Sequence, residues 1–215
     1  GGVRPHKHDI GVDLSAFAAR VQRYAEAHFG GPTSGRFVAG SGDAELDEGN
    51  VWEAIIDESL RDIPNSLWVI DLNRQSLDRV VPGVHAAQLK AIFADSGWQV
   101  LEAKYGTRLQ AAFAREGGER LRQCIDEMPN EEYQSLIRSD GASVRAALAA
   151  RRGGRDMRRC LSDTPDADLP GLLANLGGHD MRELLAAFGR AEAEKKRPTV
   201  VFAYTIKGWR LPMAA

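Results

Sequence analysis

Two short stretches set oxygen-bearing side chains among small residues where the chain turns. The first, Gly42, Asp43, Ala44 and Glu45, lies in the run GSGDAELDEGN at 40–50, directly after the apolar Phe37, Val38 and Ala39. The second, Asn73, Arg74, Gln75, Ser76, Leu77 and Asp78, follows LWVIDL at 67–72. Turns draw on Gly, Asp and Asn anyway, so either stretch alone reads as a polar loop. Their spacing adds more: 73 − 43 places Asn73 thirty residues after Asp43, room for one crossover helix between neighbouring strands. A carboxylate, a carboxamide oxygen and a nearby backbone carbonyl are hard donors that leave octahedral positions for phosphate oxygens and water. Magnesium binds a diphosphate in that way. The backbone N–H groups of Ala44 and Glu45, at a turn leading toward a helix, suit anionic oxygens, and the small side chain at 44 permits close approach.

The elements that must position these loops are legible as periodicity. Residues 14–29, with Phe17, Ala18, Val21, Tyr24, Ala25 and His28 at three- and four-residue steps, predict an amphipathic helix capped by Asp13 or Ser15. A strand is expected at 36–40 and a helix at 51–61, with Asp47, Glu48 and Asn50 anchoring the loop and capping that helix. The continuous apolar run 67–71 is of the type buried on both faces of a parallel sheet. Helix at 86–96, strand at 98–103, helix at 107–127 broken at Gly117 and Gly118, helix at 181–194 and strand at 199–204 complete the pattern. Alternating helix and strand predict an α/β fold, a mostly parallel sheet with helices on both faces. Ligands then belong outside the carboxyl ends of the strands.

Between 128 and 176 the pattern weakens. Residues 139–143 and 150–159 read as loop and solvated helix, a helical insertion within a single domain spanning 1–215. The arginines of 150–159 suit a phosphate or a partner, but a charge run is more often a wet face.

Composition narrows the function classes. With 28 basic and 30 acidic residues mixed along the chain, net charge −2, no single-sign field points to nucleic acid or an anionic membrane. No apolar run reaches membrane-span length and the first residues lack a signal peptide's apolar middle, so the expected address is the cytoplasm. Cys124 and Cys160 form neither a CxxC pair nor a disulfide framework and read as structural.

Five motifs, GDAELDEGN, DLNRQSLD, GWQV, NLGGHD and YTIKGW, occur in order over 42–209. Together they resemble the diphosphate-binding region of thiamine-diphosphate enzymes, and more narrowly the homodimeric pyruvate dehydrogenase decarboxylating component and its transketolase-like relatives. The segment IGVDLSAFAARVQRY at 10–24 is similar to that family's preceding helix. The resemblance implies thiamine diphosphate and Mg²⁺ as cofactors, with Asp43, the side chain of Asn73 and the backbone oxygen of Gln75 as metal ligands. It also implies that Gly42, Ala44 and Glu45 line the diphosphate and that Lys207 reaches the cofactor pocket. Asp78 reads as a structural partner, Asp180 as a helix N-cap and His179 as a satisfied loop histidine. His6 and His8 lie beside a VRPH segment similar to a family stretch near a substrate-side histidine.

Departures accompany the match. The long run that separates VRPH from the early helix in the family is absent, and Arg210 stands where Gly usually follows YTIKGW. No pyrimidine-binding domain, with its cofactor-contacting glutamate, is present in these residues. The expectation is therefore half of an active site in a hetero- or homo-oligomer, completed by a pyrimidine-binding domain or subunit, with no catalytic residue of its own assigned. The reaction expected is decarboxylation of a 2-oxo acid with acyl transfer; the alternatives are two-carbon ketol transfer between sugar phosphates and a non-catalytic split module.

Overall fold

The computed structural model describes residues 9–30, 35–47, 49–73 and 82–209. Gln75, Asp78, His6 and His8 lie outside the described residues, as does Glu48. In chain order the elements are α1 (Asp9–Phe29), β1 (Phe37–Gly42), a 3-10 turn (Asp43–Asp47), α2 (Gly49–Ile56), a 3-10 turn (Glu58–Leu60), β2 (Ser66–Leu72) and α3 (Pro82–Asp95). There follow β3 (Gln99–Ala103), α4 (Thr107–Phe113), α5 (Gly118–Glu127), α6 (Asn130–Arg138), α7 (Gly141–Ala150), α8 (Gly154–Cys160), α9 (Leu169–Leu173), α10 (Met181–Ala193) and β4 (Thr199–Tyr204).

The four strands form one parallel sheet in the order β1-β2-β4-β3. Handedness explains where the helices go. From β1 to β2 to β3 the chain advances across the sheet in one direction, so right-handed crossovers put α2 and α3 on one face, beside α1. The return from β3 to β4 reverses direction and carries α10 to the opposite face. Side chains of β2 and β4 alternate accordingly: Trp68, Ile70, Val200 and Phe202 enter the larger core with Val51, Ile55 and Phe93, whereas Leu67 and Val201 meet Ala187 and Ala191 of α10. Burial on both faces is why these strands read as unbroken apolar runs. The centre of the larger core is aromatic. Trp68 lies 4.8 Å from Trp98, Phe93 lies 5.7 Å from Phe202, and Trp98 Nε1 donates to Ile55 O at 3.1 Å. Each such side chain contributes about 1.5–3 kcal/mol by leaving water.

The parallel α/β architecture with helices on both faces agrees with expectation, and four local readings are corrected. Helix α1 starts at Asp9, upstream of the caps expected at Asp13 or Ser15. Helix α2 starts at Gly49, so Asn50 lies inside it, and it stops at Ile56 instead of 61. The stop has a local cause: Asp57 Oδ1 accepts the Ser59 N–H at 2.9 Å and turns the backbone into a separate 3-10 segment. The stretch 139–143 is a helix start, not a loop, because Asp140 accepts the Ser143 N–H at 2.9 Å and opens α7. Finally, 150–159 is only half solvated: Gly154 and Met157 on α8 are buried. Arg152, Arg155, Arg158 and Arg159 are exposed and Arg151 is half-buried; Arg151 pairs with Glu132 and Arg159 with Glu116.

Both cysteines are buried and unbridged, and burial raises their thiol pKa values, as inert structural cysteines require. Among the described residues no helix is long and apolar enough to cross a membrane.

Candidate functional site

Because the sheet is parallel, all four strands end at one edge. Gly42 at the end of β1 stands opposite Asp71, Leu72 at the end of β2 opposite Tyr204, and Ala103 at the end of β3 opposite Ala203. Asp43 is the next residue after β1 and Asn73 the next after β2, so the two leave neighbouring strands side by side. Asp43 is 1% exposed and opens the 3-10 turn, which Leu46, equally buried, pins to the core. A buried carboxylate must be compensated by donors or a cation. The first N–H groups of a helical turn have no partner within it, which suits Ala44 and Glu45 to an anion.

Glu45 Oε2 accepts a hydrogen bond from Ser41 Oγ at 2.9 Å, which folds its carboxylate back over the end of β1. A Cβ at Gly42 would meet nothing closer than Glu45 Oε1 at 3.9 Å, and Gly42 is not among the glycines with positive φ. The fold itself does not demand glycine there. In front of this turn lies an open cavity of about 520 Å³, lined by Gly42, Glu45, Asp71, Gly178, Phe188 and Thr205. Asp71 Oδ1 accepts from Thr205 Oγ1 and ties β2 to the residue after β4. Among the described residues α10 packs on β2, β3 and β4, and none covers the outer face of β1, where Val38 is 60% exposed. A larger hollow of about 620 Å³ lies at the opposite, amino-terminal edge, where Arg23, Arg36 and Lys195 are offset by Glu26, Glu192 and Glu194. It lacks the loops in which parallel sheets hold ligands.

Two of the sequence motifs meet beside the cavity in a structural role. The 3-10 turn Gly177–His179 presses on the ends of β3 and β4: a Cβ at Gly178 would lie 2.5 Å from Tyr204 O. His179 Nε2 accepts the Ile206 N–H at 2.8 Å, and its ring stacks on Trp209 with centroids 4.4 Å apart. Asp180 caps α10 through the Arg182 N–H at 3.0 Å and also accepts from Thr107 N and Oγ1, both at 2.7 Å. Burial works against its ionisation, but these bonds outweigh it and hold the carboxyl below its ordinary value. Lys207 lies exposed on the turn after β4 and does not line the cavity.

Behind Asn73, on the side of the larger core, is a polar cluster that sequence reading missed. Asn73 shares a small cavity of about 20 Å³ with Lys104, Tyr105, Asn130 and Gln134. Asp126 accepts from Lys104 Nζ and from the Tyr105 hydroxyl. Burial raises the Asp126 pKa, but the Lys104 and Tyr105 bonds and the Lys104 and Arg122 charges prevail and lower it. No periodicity announced this cluster, because its members come from the residue after β2, the loop after β3, α5 and α6.

Among the described residues no three His, Cys, Asp or Glu side chains gather to hold a metal. A divalent ion at this edge would draw on one carboxylate, one carboxamide and a backbone carbonyl, an all-oxygen set that fits magnesium and a diphosphate.

No family model matches the chain. It is, however, 31% identical over 209 residues to the pyruvate dehydrogenase E1 component of Escherichia coli, a match covering 96% of this chain and 23% of the relative. The same-named protein of Corynebacterium glutamicum is 32% identical over 206 residues, and that of Cupriavidus necator 30% over 207. Each covers at least 93% of this chain, which spans less than a quarter of the length of these relatives. The chain is therefore homologous to a segment of pyruvate dehydrogenase E1 components.

Proposed function

We propose that this chain, as a homologue of a segment of pyruvate dehydrogenase E1 components, is the thiamine-diphosphate- and Mg²⁺-binding part of a pyruvate-dehydrogenase-like enzyme acting on a 2-oxo acid. The observation that carries the reading is the departure of Asp43 and Asn73 from adjacent parallel strands at one edge, beside a cavity that the fold leaves open. Asp43 and Asn73 Oδ1 hold the metal, with the backbone oxygen of Gln75 as third protein ligand. Gly42 admits the diphosphate to the backbone, and the N–H groups of Ala44 and Glu45 receive its oxygens. Bound there, thiamine diphosphate supplies the electron sink for decarboxylation and acyl transfer. This chain's share is to anchor and orient. The bare outer face of β1, with the exposed Met181 and Leu185 of α10, fits closure by a pyrimidine-binding partner domain or subunit, which supplies the group that activates the cofactor.

Calorimetric titration of the full chain with thiamine diphosphate and Mg²⁺ tests the reading. Binding should require both and should weaken in Asp43→Ala by about 3 kcal/mol, the scale of one lost charge-assisted contact, or roughly a hundredfold. Equal heats from the variant would show that Asp43 is not a ligand.

A further inference from the structure

Asn73 poses an orientation problem. A carboxamide ligates a divalent ion only through its oxygen, and its two ends have nearly the same shape. Something must hold the nitrogen end away from the metal. The small cavity behind Asn73 is also lined by Gln134, which α6 brings to this point; Gln134 is 7% exposed, and among the described residues its Oε1 has no hydrogen-bond partner. A buried amide oxygen without a donor costs stability, so its place beside the site calls for one. The hydroxyl donors around the cavity are committed elsewhere: Tyr105 to Asp126, Tyr133 to Leu173 O at 2.6 Å, Tyr204 to Glu102 at 3.0 Å and Thr205 to Asp71. Lys104 is held by Asp126. Asn130, one turn earlier on the same helix, is well placed to reach Gln134 yet does not donate to its oxygen.

We propose that Gln134 is a positioning residue for the metal site. Its Oε1 accepts a hydrogen bond from a single water, to which Asn73 Nδ2 donates, and so keeps Asn73 Oδ1 turned toward the metal. The cavity's 20 Å³ is room for one such water. The inference rests on the metal reading of Asp43 and Asn73 and assigns α6 a part in it.

Mg²⁺ is titrated by calorimetry into the full chain saturated with thiamine diphosphate, and thermal unfolding of the same proteins is followed without ligands. Gln134→Met removes the acceptor at nearly constant shape, Gln134→Glu keeps an acceptor, and Asp43→Ala reports on the metal site itself. The expected result is that Gln134→Met weakens Mg²⁺ binding about tenfold, the scale seen when the partner of a metal ligand is removed. Its Tm should stay close to the parent's, since the change keeps the side chain's shape and removes only one buried polar acceptor. Gln134→Glu should bind within about threefold of the parent. Unchanged Mg²⁺ affinity in Gln134→Met, with binding lost in Asp43→Ala, overturns the inference and leaves the metal reading intact. Loss of both Tm and affinity in Gln134→Met, with no recovery in Gln134→Glu, makes Gln134 a packing residue and also overturns it. Absence of Mg²⁺ binding by the parent chain, or binding indifferent to Asp43→Ala, overturns the metal reading and this inference together.

Discussion

At the scale of single residues, two glycines near the site do opposite things. Gly42 has open space where a Cβ would go, whereas a Cβ at Gly178 would lie 2.5 Å from Tyr204 O and 2.6 Å from Thr205 Cγ2. Gly178→Ala must push the 3-10 turn off the end of β4, with an expected cost of about 1–3 kcal/mol, read as a lower urea midpoint. Gly42→Ala should leave that midpoint unchanged and affect ligand binding only. The motif containing Gly178 was visible in the sequence, and so was the satisfied state of His179, because a histidine beside two glycines at a helix start has backbone groups within reach. Gln134 was not visible. A lone Gln among the polar residues of α6 gives no local sign that its carboxamide is buried beside a loop sixty residues earlier.

At the scale of elements, capping decides where helices begin, and Asp180 serves two of them. It accepts from Arg182 N–H at the start of α10 and from Thr107 at the start of α4. Asp180→Ala is expected to cost about 1–2 kcal/mol by chemical denaturation, with Asp180→Asn retaining a part, since Asn caps nearly as well. The same physics explains the misread elements. Asp57 and Asp140 compete for backbone N–H groups and split or start helices that hydrophobic spacing alone runs together or overlooks. Helices α6, α8 and α9 are short, nine, seven and five residues, so each shows too few apolar positions to establish a period. Their buried residues, such as Tyr133, Met157 and Leu172, are recognisable only once neighbouring helices cover them.

At the scale of the whole molecule, acid sensitivity should trace to carboxylates that tie distant parts together. Asp126 joins α5 to the loop after β3, and Asp180 joins α4 to α10; each has a folded pKa below its ordinary value of 3.8. A depressed folded pKa contributes stability fully above the unfolded value and loses it as pH falls through the lower folded value. Unfolding free energy should therefore hold through neutral pH and decline below about pH 4. In Asp126→Asn the decline should be shallower from a lower starting point, measured by urea unfolding across an acid pH series; an unaltered slope would remove Asp126 from the account.

The sequence by itself determined the α/β class, the parallel sheet with helices on both faces, and the two oxygen-rich loops, because strand burial and turn chemistry are local and periodic. Tertiary structure decided which strand ends adjoin, since the order β1-β2-β4-β3 is set by long-range packing, and crossover handedness then sets only which face each helix takes. It also decided that, among the described residues, the outer face of β1 is left uncovered beside an open cavity, and that α6 sets a buried carboxamide behind Asn73. Those relations join residues far apart in the chain, and no local spacing encodes them.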